Sequence, residues 1–287
     1  MRALNNSEIG LMFWSSGDAE HDITFVREFE LRAGQLGFGG ELNLNGLAAD
    51  WRSALEKNPD FTIATAVCSY SGEDYTDIAS VRKTVGLVPE ATRAERIART
   101  KDVAGIAAEL GIRSVACHIG FVPEDRASSN YRDVCDLTGH ICDHLAKQQQ
   151  DFTLETGQEP ANALLAFIED VGWPNLKINF DPANMILYGT GDPIDAVQAL
   201  GRHIISVHCK DGVGPASDKP GSLGVERRLG SGQVDFPAFL KALRDIGYRG
   251  ILSIEREEQD VERRNADVRH GVEFLLLNLD RSTKRRN

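Results

Sequence analysis

The amino-acid sequence predicts an α/β chain folded as one (β/α)8 barrel over residues 1–287. Three observations carry this. Eight short β-rich runs recur along the chain. Helix-patterned segments, with apolar residues three and four apart, lie between them. Several strands are introduced by a helix-terminating glycine. Eight strands alternating with helices at this length imply parallel strands joined by right-handed crossovers. A doubly wound open sheet shares the alternation, but no glycine-rich dinucleotide fingerprint follows the first strand.

In chain order, the expected strands are residues 9–14, 41–44, 61–68, 114–119, 152–155, 176–180, 204–209 and 251–254. The clearest helical patterns are 91–110, 134–149, 161–171, 193–200 and 236–246. Glycine stops are read in Leu-Gly-Phe-Gly-Gly (36–40), Leu-Gly-Ile (110–112) and Ile-Gly-Tyr-Arg-Gly (246–250). Two connections, 69–90 and 212–235, are long and follow C-terminal strand ends, where barrels build their sites. The basic tail, about 281–287, is expected to fray.

Composition narrows the function. With 41% hydrophobic residues the chain can bury a large core, and its net charge of -11 argues against a polyanionic partner such as nucleic acid. A neutral or weakly charged small molecule fits better. Five scattered cysteines form no C-x-x-C pair, so neither a disulfide framework nor a thiolate zinc site is indicated. No apolar run reaches membrane-spanning length, and the first residues are too polar for a secretory signal. A cytoplasmic location is expected.

Ligand-type residues end the last four expected strands: Glu155, Asp181, His208 and Glu255. Strand alternation puts Thr153/Glu155, Asn179/Asp181, Ser206/His208/Lys210 and Ser253/Glu255 on the inner face, and Leu154, Phe180, Val207 and Ile254 toward the helices. Three carboxylates and an imidazole converging at one rim would repel one another and raise each other's pKa, a cost that a divalent cation removes. Oxygen-rich ligation suits one Mn2+, Mg2+ or Co2+, with Zn2+ also compatible. Taken singly, a Glu at a strand end is more often a salt-bridged rim residue than a ligand, and a lone His more often a satisfied core group. Four successive strands offering one at the same height favour the metal reading.

The series Leu-Glu-Thr-Gly-Gln-Glu, Asn-Phe-Asp-Pro-Ala-Asn, Val-His-Cys-Lys-Asp, Leu-Gly-Ser-Gly-Gln-Val-Asp-Phe and Ser-Ile-Glu resembles the xylose isomerase-like TIM barrel superfamily (the AP endonuclease family 2 fold), and within it the sugar phosphate isomerase/epimerase group. The clearest matches cover residues 151–256. The resemblance implies that Glu155, Asp181, His208 and Glu255 are metal ligands, and that Glu155 and Glu255 exchange substrate protons. It implies a metal-dependent isomerase or epimerase acting on a ketose-like sugar or keto-polyol through a metal-stabilised enediolate. The same intermediate can expel water, so a lyase of the inosose dehydratase or 3-keto-glycoside type is the alternative, and a non-catalytic sugar-binding barrel the third reading.

Six further residues are substrate candidates. His118 resembles a substrate-binding position, its alternative being a core histidine bonded to backbone. Lys210 would bind a substrate oxygen, or else pair with Asp211 or Glu255. Arg228, favoured over Arg227, lies where related enzymes place a substrate arginine. Glu159 would orient a ligand or cap the next helix. Trp14 would wall a sugar ring or fill the core. Asn184 stands where the nuclease branch and many ketose epimerases carry His. That substitution and the few histidines disfavour a nuclease, and the paired-metal carboxylates of xylose isomerase itself are not visible. Without a phosphate loop, a non-phosphorylated substrate is preferred. A dimer or tetramer is compatible with the fold, though no patch identifies one.

Overall fold

The computed structural model of the chain describes residues 9–284. Its frame is a closed barrel of eight parallel strands: β1 (Ile9–Trp14), β2 (Ala33–Phe38), β3 (Thr62–Cys68), β4 (Ser114–Cys117), β5 (Asp151–Glu155), β6 (Leu176–Phe180), β7 (Ile204–Cys209) and, last in the chain, β10 (Leu252–Ile254). β10 closes the barrel between β7 and β1. Two short antiparallel strands, β8 (Asp211–Val213) and β9 (Val225–Arg227), form a hairpin in the long connection after β7.

The helices are α1 (Ala19–Arg27), α2 (Leu47–Lys57), α3 (Ile78–Thr84), α4 (Glu90–Glu109), α5 (Ser129–Ala146), α6 (Ala161–Val171), α7 (Pro182–Tyr188), α8 (Pro193–Leu200), α9 (Phe236–Asp245) and α10 (Val261–Lys284). Several start on an aspartate whose carboxylate takes up orphan N–H groups. Asp192 caps α8 in this way and Asp235 caps α9, each with proline at the start of the helix.

The main core lies between barrel and helices, and includes Leu154, Phe180, Val207 and Ile254 as alternation requires. Among the described residues, the apolar cluster inside the barrel consists of Met12, Val67 and Ala116. The rest of that interior is buried and polar, with Gln35, Thr65, Thr153, Asn179, Ser206 and Ser253. Such groups are costly unless hydrogen-bonded, so the polar lining marks where the fold gives up apolar burial for a site.

One expectation is corrected. The second strand is Ala33–Phe38, and residues 41–44 form part of the loop after it. The misreading came from the glycines. Rather than stopping a helix, Gly37 lies inside the strand, where a Cβ would stand 2.4 Å from Trp14 Cε3. Glycine there leaves room for the Trp14 ring and the Met12 methyl to lie against β2. α10 is assigned through Lys284, within the segment expected to fray, and residues 285–287 of that segment lie outside the described residues.

Candidate metal centre

Four strands deliver the central cluster. Glu155 ends β5, Asp181 follows β6, His208 is the penultimate residue of β7, and Glu255 follows β10. All four are buried, and one donor atom from each lies within 4.8 Å of the others. His208 Nδ1 is 3.3 Å from Glu155 Oε1 and 2.9 Å from Glu255 Oε2.

Whether these residues fit a cation is decided by their own bonding. Asp181 Oδ2, His208 Nδ1 and Glu255 Oε2 are buried and make no well-aligned hydrogen bond; what they face at close range is one another and the Lys210 ammonium. Buried polar atoms are rarely left so, and three converging on one point describe a coordination site. The field agrees. Burial opposes a proton on His208, yet Glu255 and Glu155 outweigh it and hold the imidazole well above its ordinary range. Burial drives Asp181 well above the usual carboxylate range, against the pull of Lys210. Burial also raises Glu255 and Glu155, but His208 and Lys210 bring Glu255 well below normal, and His118 and His208 lower Glu155. The cluster attracts positive charge, and a divalent ion satisfies it without protons.

A second layer orients the ligands. His208 Nε2 faces Gln35 Oε1 at 3.0 Å and Asn179 Nδ2 at 3.2 Å; with a cation at Nδ1 the ring would keep its proton on Nε2, directed at Gln35. Gln35 Nε2 donates to Asn179 Oδ1 at 3.2 Å and to Val207 O at 3.3 Å, and Ser206 Oγ donates to the same Asn179 oxygen. The sheet register shifts between Gly34 and Gln35 and between Ile178 and Asn179, so both partners stand at irregularities that re-aim side chains. Asp181 Oδ1 accepts from Ala183 and Asn184 N–H, leaving Oδ2 for the cluster.

A cavity of about 370 Å3 opens over the cluster, lined by Trp14, Tyr75, His118, Asn184, Tyr188 and Lys210 among others. Asn184 Nδ2 donates to Glu155 Oε1 at 3.1 Å. His118 Nε2 lies 3.4 Å from that oxygen, while its Nδ1 meets Gln158 Nε2 at 3.2 Å, so it is held by side chains rather than by backbone. Lys210 Nζ is buried 3.4 Å from Glu255, 3.2 Å from Glu257 and 3.9 Å from Asp181. Burial would strip its proton, but Glu255, Glu257 and Asp181 hold it well above the ordinary lysine range. Trp14 is 48% exposed, which excludes the core reading and leaves it as a wall.

Two candidates are corrected. Glu159 is absent from the cavity lining and caps nothing; buried beneath the β4–α5 loop, its Oε1 accepts from Val122 N–H at 2.8 Å. Arg228 is exposed and donates to Ser231 Oγ. It lies just past the end of β9, within which Val225 and Arg227 are exposed and Glu226 faces the cavity. Asp211 is not the partner of Lys210 either, because its carboxylate accepts from Gly212, Gly230, Gly232 and Val234 N–H. Sequence reasoning missed Gln35, Gln158, Glu226 and Glu257. For Glu257 the signal was present, since it follows Glu255 by two residues.

Fold and cluster together define a parallel (β/α)8 barrel whose buried carboxylate–histidine centre could hold a metal ion at the C-terminal rim. The chain belongs to the xylose isomerase-like TIM barrel family, whose model matches residues 23–277. A xylose isomerase domain protein from Planctomyces limnophilus is 37% identical, with a TM-score of 0.88 over 94% of this chain and 96% of that one. A D-tagatose 3-epimerase-like protein superposes with a TM-score of 0.72 at 20% identity, covering 97% of this chain and 100% of that one, a likeness of fold alone. The uncharacterized protein MJ1311 of Methanocaldococcus jannaschii is 26% identical over 52% of this chain and 52% of its own length. The chain thus spans about half the length of the curated relatives it matches.

Proposed function

We propose that the protein is a divalent-metal-dependent sugar isomerase or epimerase acting on a ketose-like or keto-polyol substrate. The observation that carries this reading is the buried convergence of Glu155, Asp181, His208 and Glu255, three of whose donor atoms make no well-aligned hydrogen bond. A bound ion, with Mn2+, Mg2+, Co2+ and Zn2+ all compatible with these donors, would supply Lewis acidity to two adjacent substrate oxygens. One carboxylate of the Glu155/Glu255 pair then takes the proton from the carbon beside the carbonyl, and the other returns one. Return to the opposite face of the same carbon is epimerisation; return to the neighbouring carbon is isomerisation. Asn184 and His118 fix Glu155 from one side. Lys210 faces Glu255 and presents an ammonium to a substrate oxygen. The names of similar barrels, a sugar 3-epimerase-like protein among them, agree with this chemistry.

A lyase is the second reading, and Lys210 favours it. A buried ammonium beside Glu255 can donate a proton to a departing hydroxyl, converting proton abstraction into loss of water. Plasma mass spectrometry of the purified protein, before and after chelation and beside Glu255→Ala, tests the centre. About one divalent ion per chain, lost in the variant, supports it; no ion under any loading condition ends the reading. Keto-sugars in deuterated water then separate the chemistries: deuterium uptake without loss of water marks an epimerase or isomerase, and growth of an enone absorbance marks a lyase.

A further inference from the structure

A second cavity, a groove of about 550 Å3, adjoins the one over the cluster. It arises from the barrel's closure. β1 and β10 pair only as far as Leu11↔Ile254, whereas β1 stays paired to β2 through Trp14↔Gly37. Beyond Leu11 and Ile254 the seam is open, and the groove runs outward from it between α1, which contributes Phe25, and α10, which contributes Arg264 and Val268. Met12, Trp14, Glu226, Glu255 and Glu257 line both cavities, so the two share a wall and meet at the candidate centre.

Each cavity is of ligand size alone, so a single sugar ring over the cluster leaves the groove to water. We infer that the substrate is a ketose-like sugar carrying a neutral glycosidic substituent, the reacting ring lying over the cluster and the second ring in the groove against Trp14. The inference rests on the proposed function for the reacting ring, but its own support is the groove. The lining selects the occupant. Trp14, Phe25 and Val268 give apolar faces for the C–H side of a ring, and Glu257 gives acceptors for its hydroxyls. An anionic group is disfavoured. Arg256 is engaged by Glu226 at 3.1 Å, Asp267 at 2.9 Å and Glu258 at 3.4 Å, and Arg264 donates to Glu258 O.

The test compares D-fructose with four glucosyl-fructoses, turanose, maltulose, leucrose and isomaltulose, which place the glucose on different hydroxyls of the same ketose. Calorimetry on the magnesium-loaded protein reads affinity, and proton exchange in deuterated water reads chemistry on the same samples. At least one disaccharide is expected to bind about tenfold more tightly than D-fructose. Gln259→Trp, a substitution at an exposed groove position, is expected to abolish that advantage while D-fructose binds within about twofold of wild type. Trp14→Ala, which removes the shared wall, is expected to weaken the disaccharide most. No advantage for any disaccharide, an advantage that survives Gln259→Trp, or no binding by all five sugars overturns the inference. A disaccharide advantage abolished by Gln259→Trp, without proton exchange, keeps the groove assignment and removes the isomerase or epimerase reading.

Discussion

His208 Nε2 stands 3.0 Å from Gln35 Oε1, across the barrel from β7 to β2, and this contact sets which face of the imidazole meets Glu155 and Glu255. Gln35→Leu keeps the volume but removes the acceptor that holds the proton on Nε2. Partners of this kind are worth roughly 10–100-fold in metal affinity. A loss of that size is expected in competition titrations against a chelating dye, with the far-ultraviolet dichroism unchanged. Wild-type affinity in the variant would show that Gln35 only fills the barrel.

Glu155→Gln and Glu255→Gln are each expected to fold and to lose activity by about 10²–10⁴-fold, the usual contribution of a positioned acid or base. Both side chains keep their size, and Asn184 can still donate to an amide oxygen at position 155. Because each carboxylate is also a candidate ligand, metal content must be measured on the same samples. Near-normal turnover in either loaded variant would end the two-base mechanism.

Strand periodicity made the barrel legible, and with it the four converging residues, because position on a strand fixes which face a side chain takes. The groups around them were hidden for identifiable reasons. Gln35 lies in a strand rich in glycine, which suggested helix stops, and it reaches His208 at a register shift that no single sequence displays. Glu226 lies on a three-residue strand inside a loop, too short for a period, so two neighbouring arginines drew the substrate assignment instead. Glu159 keeps the helical spacing from Glu155 that suggested a ligand role, but the chain turns at 156–159 before α6 begins.

The β7–α9 connection hangs on one carboxylate. Asp211 accepts four backbone N–H groups, and a Cβ on Gly232 would stand 2.1 Å from Asp211 Oδ1 and 2.5 Å from Gly212 N. Gly232→Ala must therefore displace the loop that follows Lys210. A destabilisation of about 1–3 kcal/mol in urea unfolding is expected, with faster proteolysis within residues 212–235. An unchanged unfolding midpoint would show that the loop accommodates the methyl without breaking the Asp211 cradle.

Burial raises the Glu159 carboxyl to about 8, against the Val122 N–H bond that lowers it, so the proton stays on through neutral pH in the folded chain. In the unfolded chain the group returns to its ordinary value of 4.5. The unfolded state therefore releases this proton first. The stabilisation is complete below about 4.5 and is lost as pH rises to about 8, at roughly 1.4 kcal/mol per pH unit. Glu159→Gln presents the same acceptor to Val122 and has no proton to lose. The variant is expected to match wild type near pH 4.5, and to gain on it steadily up to pH 8 when unfolding free energies are compared across that range. A constant difference between the two proteins would mean that Glu159 ionises in the folded chain much as it does in the unfolded one, and that the β4–α5 loop opens to water.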